Sequence, residues 1–425
     1  MGANASSRMR WFRLDIVLVT NGPGEIHSLA RPVACRAASA FSAADIWVFM
    51  SPSSDASAKE VRVASTYPGV RRAFSPKEFL SYMTIGVRPK GFSRSGRGVV
   101  VDLGGTPYYA SKLARRLGYP LIAYVTREST ARPRGALCYL AEDERVQASI
   151  ISRGVEASKV KVVGSLSLDG IKLPGNVDRG RSRYSTDDST RLISLFPGLG
   201  IRQARVMAPF LLRVAELLAR VERRVSFVLC LSPFIGTTTL DDILSHPTQA
   251  SRIDGTCATI SRSVGPLEAV TAEGLRVPIE TVHRYELMLE SDMALVAPGP
   301  VCYELSYLGI PHIVAAPLNV PGAVDLPGLS GFMLSLPFVG GALQRRTAEQ
   351  MRVAGRFLSG PNAKAGRMAT PEVVGTIRPE DVVIPSVELL SDPARADRVS
   401  RDLREIVGVM GAADAVIHCI ASQLR

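Results

Sequence analysis

The feature that most constrains this chain is an alternation of short β-branched runs with stretches whose apolar residues fall at helical spacing, repeated along most of its length. A strand followed by a crossover helix packs back onto its own sheet, so such a chain builds parallel sheets covered by helices. In the first half the strand candidates are 14–20, 44–50, 69–74, 98–103, 120–125, 136–141 and 160–163, with helical patterns at 25–41, 106–118 and 142–153. Polar, strand-free text then runs from 171 to 190 and reads as a linker. The alternation restarts with strands at 192–196, 225–231, 293–297 and 311–316 and a helix at about 203–221. Two α/β units of similar size imply a cleft, and ligands of such sheets gather outside the carboxyl ends of the strands.

Composition narrows the partners. Hydrophobic residues make up 46% of 425, enough for large cores, which excludes a disordered chain and a stapled mini-protein. The net charge is +12, and only 8 of the 51 basic residues are lysine. An arginine excess favours bidentate capture of phosphates or carboxylates. The arginines are dispersed without interleaved aromatics, so no nucleic acid is expected. Cysteines at 35, 138, 230, 257, 302 and 419 form no CxxC pair, so neither a zinc site nor a disulfide framework is expected and a reducing cytoplasm fits. The basic start (Arg8, Arg10, Arg13) leads into a strand containing Asp15 rather than a secretory leader, and no window of 18 apolar residues escapes turn formers.

Four strand-to-helix turns carry the chemistry. Thr20-Asn21-Gly22-Pro23-Gly24-Glu25 offers backbone N–H groups at a helix start and a carboxylate at its mouth. Asp102-Leu103-Gly104-Gly105-Thr106-Pro107 sets an acid at a strand end, able to act as general base or to cap the next turn. Phe196-Pro197-Gly198-Leu199-Gly200 precedes Arg202 and Arg205 and suits a diphosphate. In Ala297-Pro298-Gly299-Pro300-Val301 the backbone from Gly299 to Val301 can hold phosphate, while Glu304, one turn on, can accept from a ribose diol. Pro317-Leu318-Asn319 ends the following strand, in which His312 reads as structural.

Together with Val163-Gly164-Ser165-Leu166-Ser167-Leu168-Asp169, the order and spacing of these motifs resemble the lipid-A-disaccharide synthase family of inverting glycosyltransferases, and more closely a divergent group related to it. The resemblance runs from about Leu14 to the C-terminus. It implies an α/β fold of the GT-B type, two Rossmann-like domains facing across a cleft, with a C-terminal helical tail. The division it implies is an acceptor domain over 1–170, the linker over 171–190, a nucleotide-sugar domain over 191–385 with an apolar insertion at 320–346, and the tail over 386–425. It further implies a UDP-sugar donor, a lipid or glycolipid acceptor, no metal and no other cofactor, at the inner, cytoplasmic face of a membrane. Carried over by motif, Asp102 and Glu25 are the catalytic candidates. Gly198, Gly200, Arg202, Gly299, Pro300, Val301, Glu304 and Asn319 fall to the donor, and Asn21, Gly22, Gly24, Gly104, Gly105 and Thr106 to the acceptor. Thr106 stands where the family has a second acid, which leaves the base to Asp102 or Glu25. Leu199-Gly200 replaces the family's serine-arginine pair, leaving Arg202 or Arg205.

From Ile313 to Gln344 the only charged residue is Asp325, and 326–343 reads LPGLSGFMLSLPFVGGAL before Arg345-Arg346. Its prolines and glycines prevent a spanning helix, so an interfacial hairpin is expected, Phe332, Leu336 and Phe338 entering the head-group region and the arginines meeting lipid phosphate. A lid over the cleft and a homodimer interface are the other readings. The sequence therefore points to a sugar transferase; a non-catalytic lipid- or nucleotide-binding protein and a nucleotide-sugar epimerase remain as alternatives.

Overall fold

The computed structural model describes residues 14–52, 58–104, 107–126, 135–173, 184, 189–246, 250–262, 266–318, 320, 322–323 and 357–424. Gly105, Thr106, Asn319, Phe332, Leu336, Phe338, Arg345, Arg346 and most of the expected linker lie outside the described residues.

The first unit is a parallel sheet of seven strands: β1 (Leu14–Thr20), β2 (Ala44–Met50), β3 (Val70–Phe74), β4 (Arg97–Asp102), β5 (Leu121–Val125), β6 (Cys138–Ala141) and β7 (Val160–Val162). Their spatial order is β3-β2-β1-β4-β5-β6-β7. Alternate residues serve opposite faces. Ile16, Leu18, Val99 and Val101 join one core, and Val17, Val19 and Val100 join the other. Asp15 can sit inside β1 because its carboxylate accepts from Trp47 Nε1 (3.0 Å), the Ser95 amide (2.7 Å) and Tyr119 Oη (2.6 Å). The crossover helices Ala58–Ser65 and Pro76–Thr84 were not expected from the sequence.

The second unit contains β8 (Arg191–Phe196), β9 (Val225–Cys230), β10 (Ala258–Ser261), β11 (Glu268–Thr271), β12 (Arg276–Glu280), β13 (Met293–Val296), β14 (His312–Pro317) and β15 (Glu372–Gly375). They lie in the order β10-β11-β12-β9-β8-β13-β14-β15, parallel except for the antiparallel β10-β11-β12 extension. Sequence patterning finds neither β15 nor the three extension strands. Pro278 within β12 weakens its strand signal.

The units are not independent bodies. Phe234, which follows β9, is fully buried in the first unit's core. The C-terminal helix Ala412–Gln423 lays Val416, Ile417 and Ile420 into the same core, and Asp169 accepts from the amides of Gly411 and Ala413 at its start. The preceding helix Pro393–Val407 stays with the second unit, where Arg404 donates to the Leu308 carbonyl. The tail thus crosses back from one unit to the other. The helix Pro379–Ser391 runs through the boundary drawn at 385, with Pro385 inside it, and packs on the helix Ile201–Val221. Within Pro393–Gln423 one stretch is apolar enough, at mean hydropathy 1.4, to pass for a membrane span, which the sequence reading did not anticipate; part of it, Val416, Ile417 and Ile420 included, is buried in the core just described.

Candidate functional site

In a doubly wound sheet the crevice opens where neighbouring strands send their connections to opposite sides, and each sheet here has one such point. In the first it lies between β1 and β4, whose carboxyl ends carry Asn21–Glu25 and Asp102–Gly104. In the second it lies between β8 and β13, whose ends carry Pro197–Gly200 and Pro298–Pro300. All four turns singled out in the sequence therefore sit at the two switch points. The two sets also face each other: a Cβ on Gly24 would stand 3.8 Å from Pro300 Cγ.

At the first switch point Asp102 is 3% exposed. Its Oδ1 has no hydrogen-bond partner among the described residues. Burial pushes its pKa up to about 8, opposed by one hydrogen bond from the Gly104 backbone. Thr20 Oγ1 and Asn21 Oδ1, on the adjoining strand end, are likewise buried without partners. Gly104 takes φ +106°, a left-handed conformation that brings its α-carbon against Glu25: a Cβ there would lie 3.1 Å from Glu25 Cγ. Asp102, Glu25, Asn21 and Gly104 thus share one corner of the cleft. Gly22 and Gly24 serve the turn itself, their carbonyls accepting from the Ile26 amide (3.0 Å) and Ser28 Oγ (2.7 Å).

At the second switch point Gly198 has φ +106°, and a Cβ would collide with Gln203, whose amide fills the cradle. Gln203 Nε2 donates to the carbonyls of Pro298 (2.9 Å) and Ala323 (3.2 Å), tying the β8 turn to the β13 turn. The space beside Gly198, expected to hold a diphosphate, is taken in this structure by the chain's own Gln203 side chain. Gly200 caps the helix Ile201–Val221, with Arg202 half-buried in its first turn and Arg205 drawn to Asp242 at the surface (3.5 Å). Gly299 faces open space, and Pro300 and Val301 start the helix Val301–Leu308.

Glu304, in that helix, is 1% exposed and is not free for a ribose here. Its Oε1 accepts from Tyr285 Oη (3.0 Å) and lies 3.1 Å from His27 Nε2 of the first unit; its Oε2 accepts from Arg284 Nη2. Burial works to raise its pKa, but Arg284, His27 and Arg31 outweigh burial and bring it down to about 2. The pKa of His27 is lowered too, by burial first and then by Arg31, down to about 4, so the imidazole is neutral. Its Nε2 also lies 3.2 Å from Arg284 Nη1. A guanidinium only donates and a carboxylate only accepts, so one tautomer serves Glu304 and the other serves Arg284. Arg31 Nη2 adds bonds to Tyr285 Oη (3.0 Å) and the Gly170 carbonyl.

No family model matches the chain. The lipid-A-disaccharide synthase of Persephonella marina is 22% identical over 330 residues, covering 75% of this chain and 74% of that one. Two solved structures superpose over nearly everything: S. aureus MnaA with UDP (TM-score 0.55, 12% identity, 96% of each chain) and the UDP-GlcNAc 2-epimerase of Neisseria meningitidis bound to UDP-GlcNAc (TM-score 0.52, 14% identity, 96% and 100%). The fold is GT-B. Within that GT-B frame the sequence reading missed His27 as a partner of Glu304, and Arg31, Arg284, Tyr285 and Gln203 altogether. The one available signal was Arg284-Tyr285 opening a helix just beyond the carboxyl end of β12, a strand that itself went unseen.

Proposed function

We propose that this chain is an inverting glycosyltransferase that moves a sugar from a nucleoside-diphosphate sugar, by preference a UDP-sugar, to a hydroxyl of a lipid or lipid-linked acceptor. The observation that carries the reading is Asp102: a carboxyl at a switch-point strand end, with one oxygen unpartnered among the described residues and a pKa of about 8. A base whose proton affinity lies near the working pH balances the ionised fraction against the pull on the hydroxyl proton. Asp102 takes the acceptor's proton as the oxygen attacks the anomeric carbon, and the bond to the diphosphate oxygen breaks. Backbone N–H groups at Gly299 and Val301, with Arg202, meet the charge of the departing UDP. Glu25, beside Gly104, positions the acceptor or substitutes as base. The distant lipid-A-disaccharide synthase relative supports the transfer reaction, and the solved structures carrying UDP or UDP-GlcNAc support the donor class.

Release of UDP from UDP-sugars in the presence of extracted lipid tests this. The expected result is acceptor-dependent release that falls by about 10²–10⁴-fold in Asp102→Asn; no release with any UDP-sugar overturns it. A second reading, nucleotide-sugar epimerisation, is favoured by the shared fold of the epimerases. It predicts a changed sugar configuration from UDP-GlcNAc alone, without net UDP release. We also place the chain at the cytoplasmic face of a membrane through 326–343 with Arg345 and Arg346. A variant carrying Phe332→Ser, Leu336→Ser and Phe338→Ser is expected to stop floating with anionic vesicles, and unchanged flotation removes the membrane part of the reading.

A further inference from the structure

The seam between the units holds more positive charge than it neutralises. Arg31, from the first unit, has no carboxylate partner among the described residues; its donors go to the Gly170 carbonyl and Tyr285 Oη. Arg284, from the second, pairs with Glu304 and lies over the Tyr285 ring. Two guanidiniums face one carboxylate, and the histidine beside them is neutral. The Nε–H of Arg31 and the Nε–H of Arg284 are both buried with no hydrogen-bond partner among the described residues. Leaving a charged donor buried and unpaired is costly, and two such donors at one place call for further acceptor oxygens.

We propose that this seam is an anion site which the Glu304 carboxylate fills in this structure and which the diphosphate of a nucleotide sugar takes over, held by Arg31 and Arg284 from opposite units with Tyr285 and His27. The inference rests on the nucleotide-sugar reading above and adds the residues that recognise the diphosphate. Three observations support it. The site already binds an anion strongly, since Glu304 stays ionised despite complete burial. A diphosphate brings more charge and more acceptor oxygens than one carboxylate, which suits the surplus guanidinium and the two unpartnered Nε–H groups. Glu304 lies one turn inside the helix whose N-terminus carries Gly299 to Val301, so an anion here adjoins the backbone donors of that turn. The exchange releases Glu304 to accept from the ribose diol, the role its place in the sequence suggested. Because the two arginines belong to different units, the diphosphate also bridges them.

The test is titration calorimetry of the full chain with UDP, inorganic pyrophosphate and uridine, in wild type, Arg31→Gln and Glu304→Gln. Arg31 has no ion pair to break among the described residues, so its variant is expected to keep the fold even if Glu304→Gln does not. The expected result is at least about tenfold weaker binding of UDP and pyrophosphate in Arg31→Gln with uridine unchanged. In Glu304→Gln, where the internal competitor is gone, pyrophosphate binds more tightly. Wild-type affinity for UDP and pyrophosphate in Arg31→Gln overturns the site while leaving the nucleotide reading intact. Pyrophosphate binding that depends on Arg31, with no binding of UDP, upholds the site and removes the nucleotide reading. Absence of heat with every anion in the wild type removes both.

Discussion

Asp102 and Glu304 are buried to nearly the same degree, 3% and 1% exposed, yet the first is pushed up to about 8 and the second is brought down to about 2. Burial favours the neutral acid at both positions, so the difference lies in the donors. Among the described residues Asp102 receives one backbone hydrogen bond and keeps an oxygen unpartnered, whereas Glu304 receives Arg284, Tyr285 and His27 from two units. One carboxyl is therefore held protonated up to about pH 8, while the other is held ionised and joins the halves.

The largest way to break that contrast is to take the donors from Glu304. Arg284→Met leaves a buried carboxylate without its ion pair and is expected to cost about 3–5 kcal/mol, read as a fall in unfolding free energy in urea. A loss below about 1 kcal/mol would show that Glu304 does not depend on the pair. Next comes Asp102→Asn. The folded pKa of Asp102 lies above the unfolded value, so the fold holds a proton that the unfolded chain has released. Its contribution to stability therefore falls as pH rises from about 4 to about 8 and levels off beyond. The asparagine variant should gain on the wild type across that window, by a few kcal/mol at its upper end, as followed by melting temperature against pH; a constant difference contradicts the assignment.

The seam has the opposite sign. Glu304 stabilises the fold above its unfolded pKa of about 4.5, and this is lost as pH falls toward about 2. His27, neutral in the fold down to about 4, refuses a proton that the unfolded chain accepts from about 6.5 downward, so it too weakens the fold on acidification. His27→Gln is expected to flatten the loss of stability between pH 6.5 and 4 by up to about one proton's worth, and an unchanged slope counts against a buried neutral imidazole. The smallest change is Tyr285→Phe. It removes the hydroxyl that donates to Glu304 Oε1 and accepts from Arg31 Nη2, costs about 1–2 kcal/mol, and leaves Asp102's pH window untouched.

The same pair shows what a sequence discloses. The fold was legible because strand and crossover alternate locally, and the four turns were legible because Gly, Pro and an acid at a strand end are local signals. Asp102 could be picked out as a strand-end acid, and its isolation follows from burial between two apolar cores. Glu304 could be picked out as well, but its partners could not. His27 lies 277 residues away in the chain, and Arg284 and Tyr285 follow a strand whose proline hides it. Gln203 filling the Gly198 cradle is of the same kind, a contact fixed by the meeting of two turns rather than by spacing. The helical tail is expected from the resemblance, but the face it buries, Val416, Ile417 and Ile420 in the first unit's core, is fixed by tertiary contact rather than by local pattern.

The pH profile of kcat/KM for acceptor-dependent UDP release puts Asp102's role to the most direct trial. With Asp102 as the base, the rate rises with pH through an inflection near about 8, and Asp102→Asn loses both the turnover and the inflection. A profile flat from about pH 6 to about pH 9.5, or an asparagine variant that releases UDP at the wild-type rate, would contradict it.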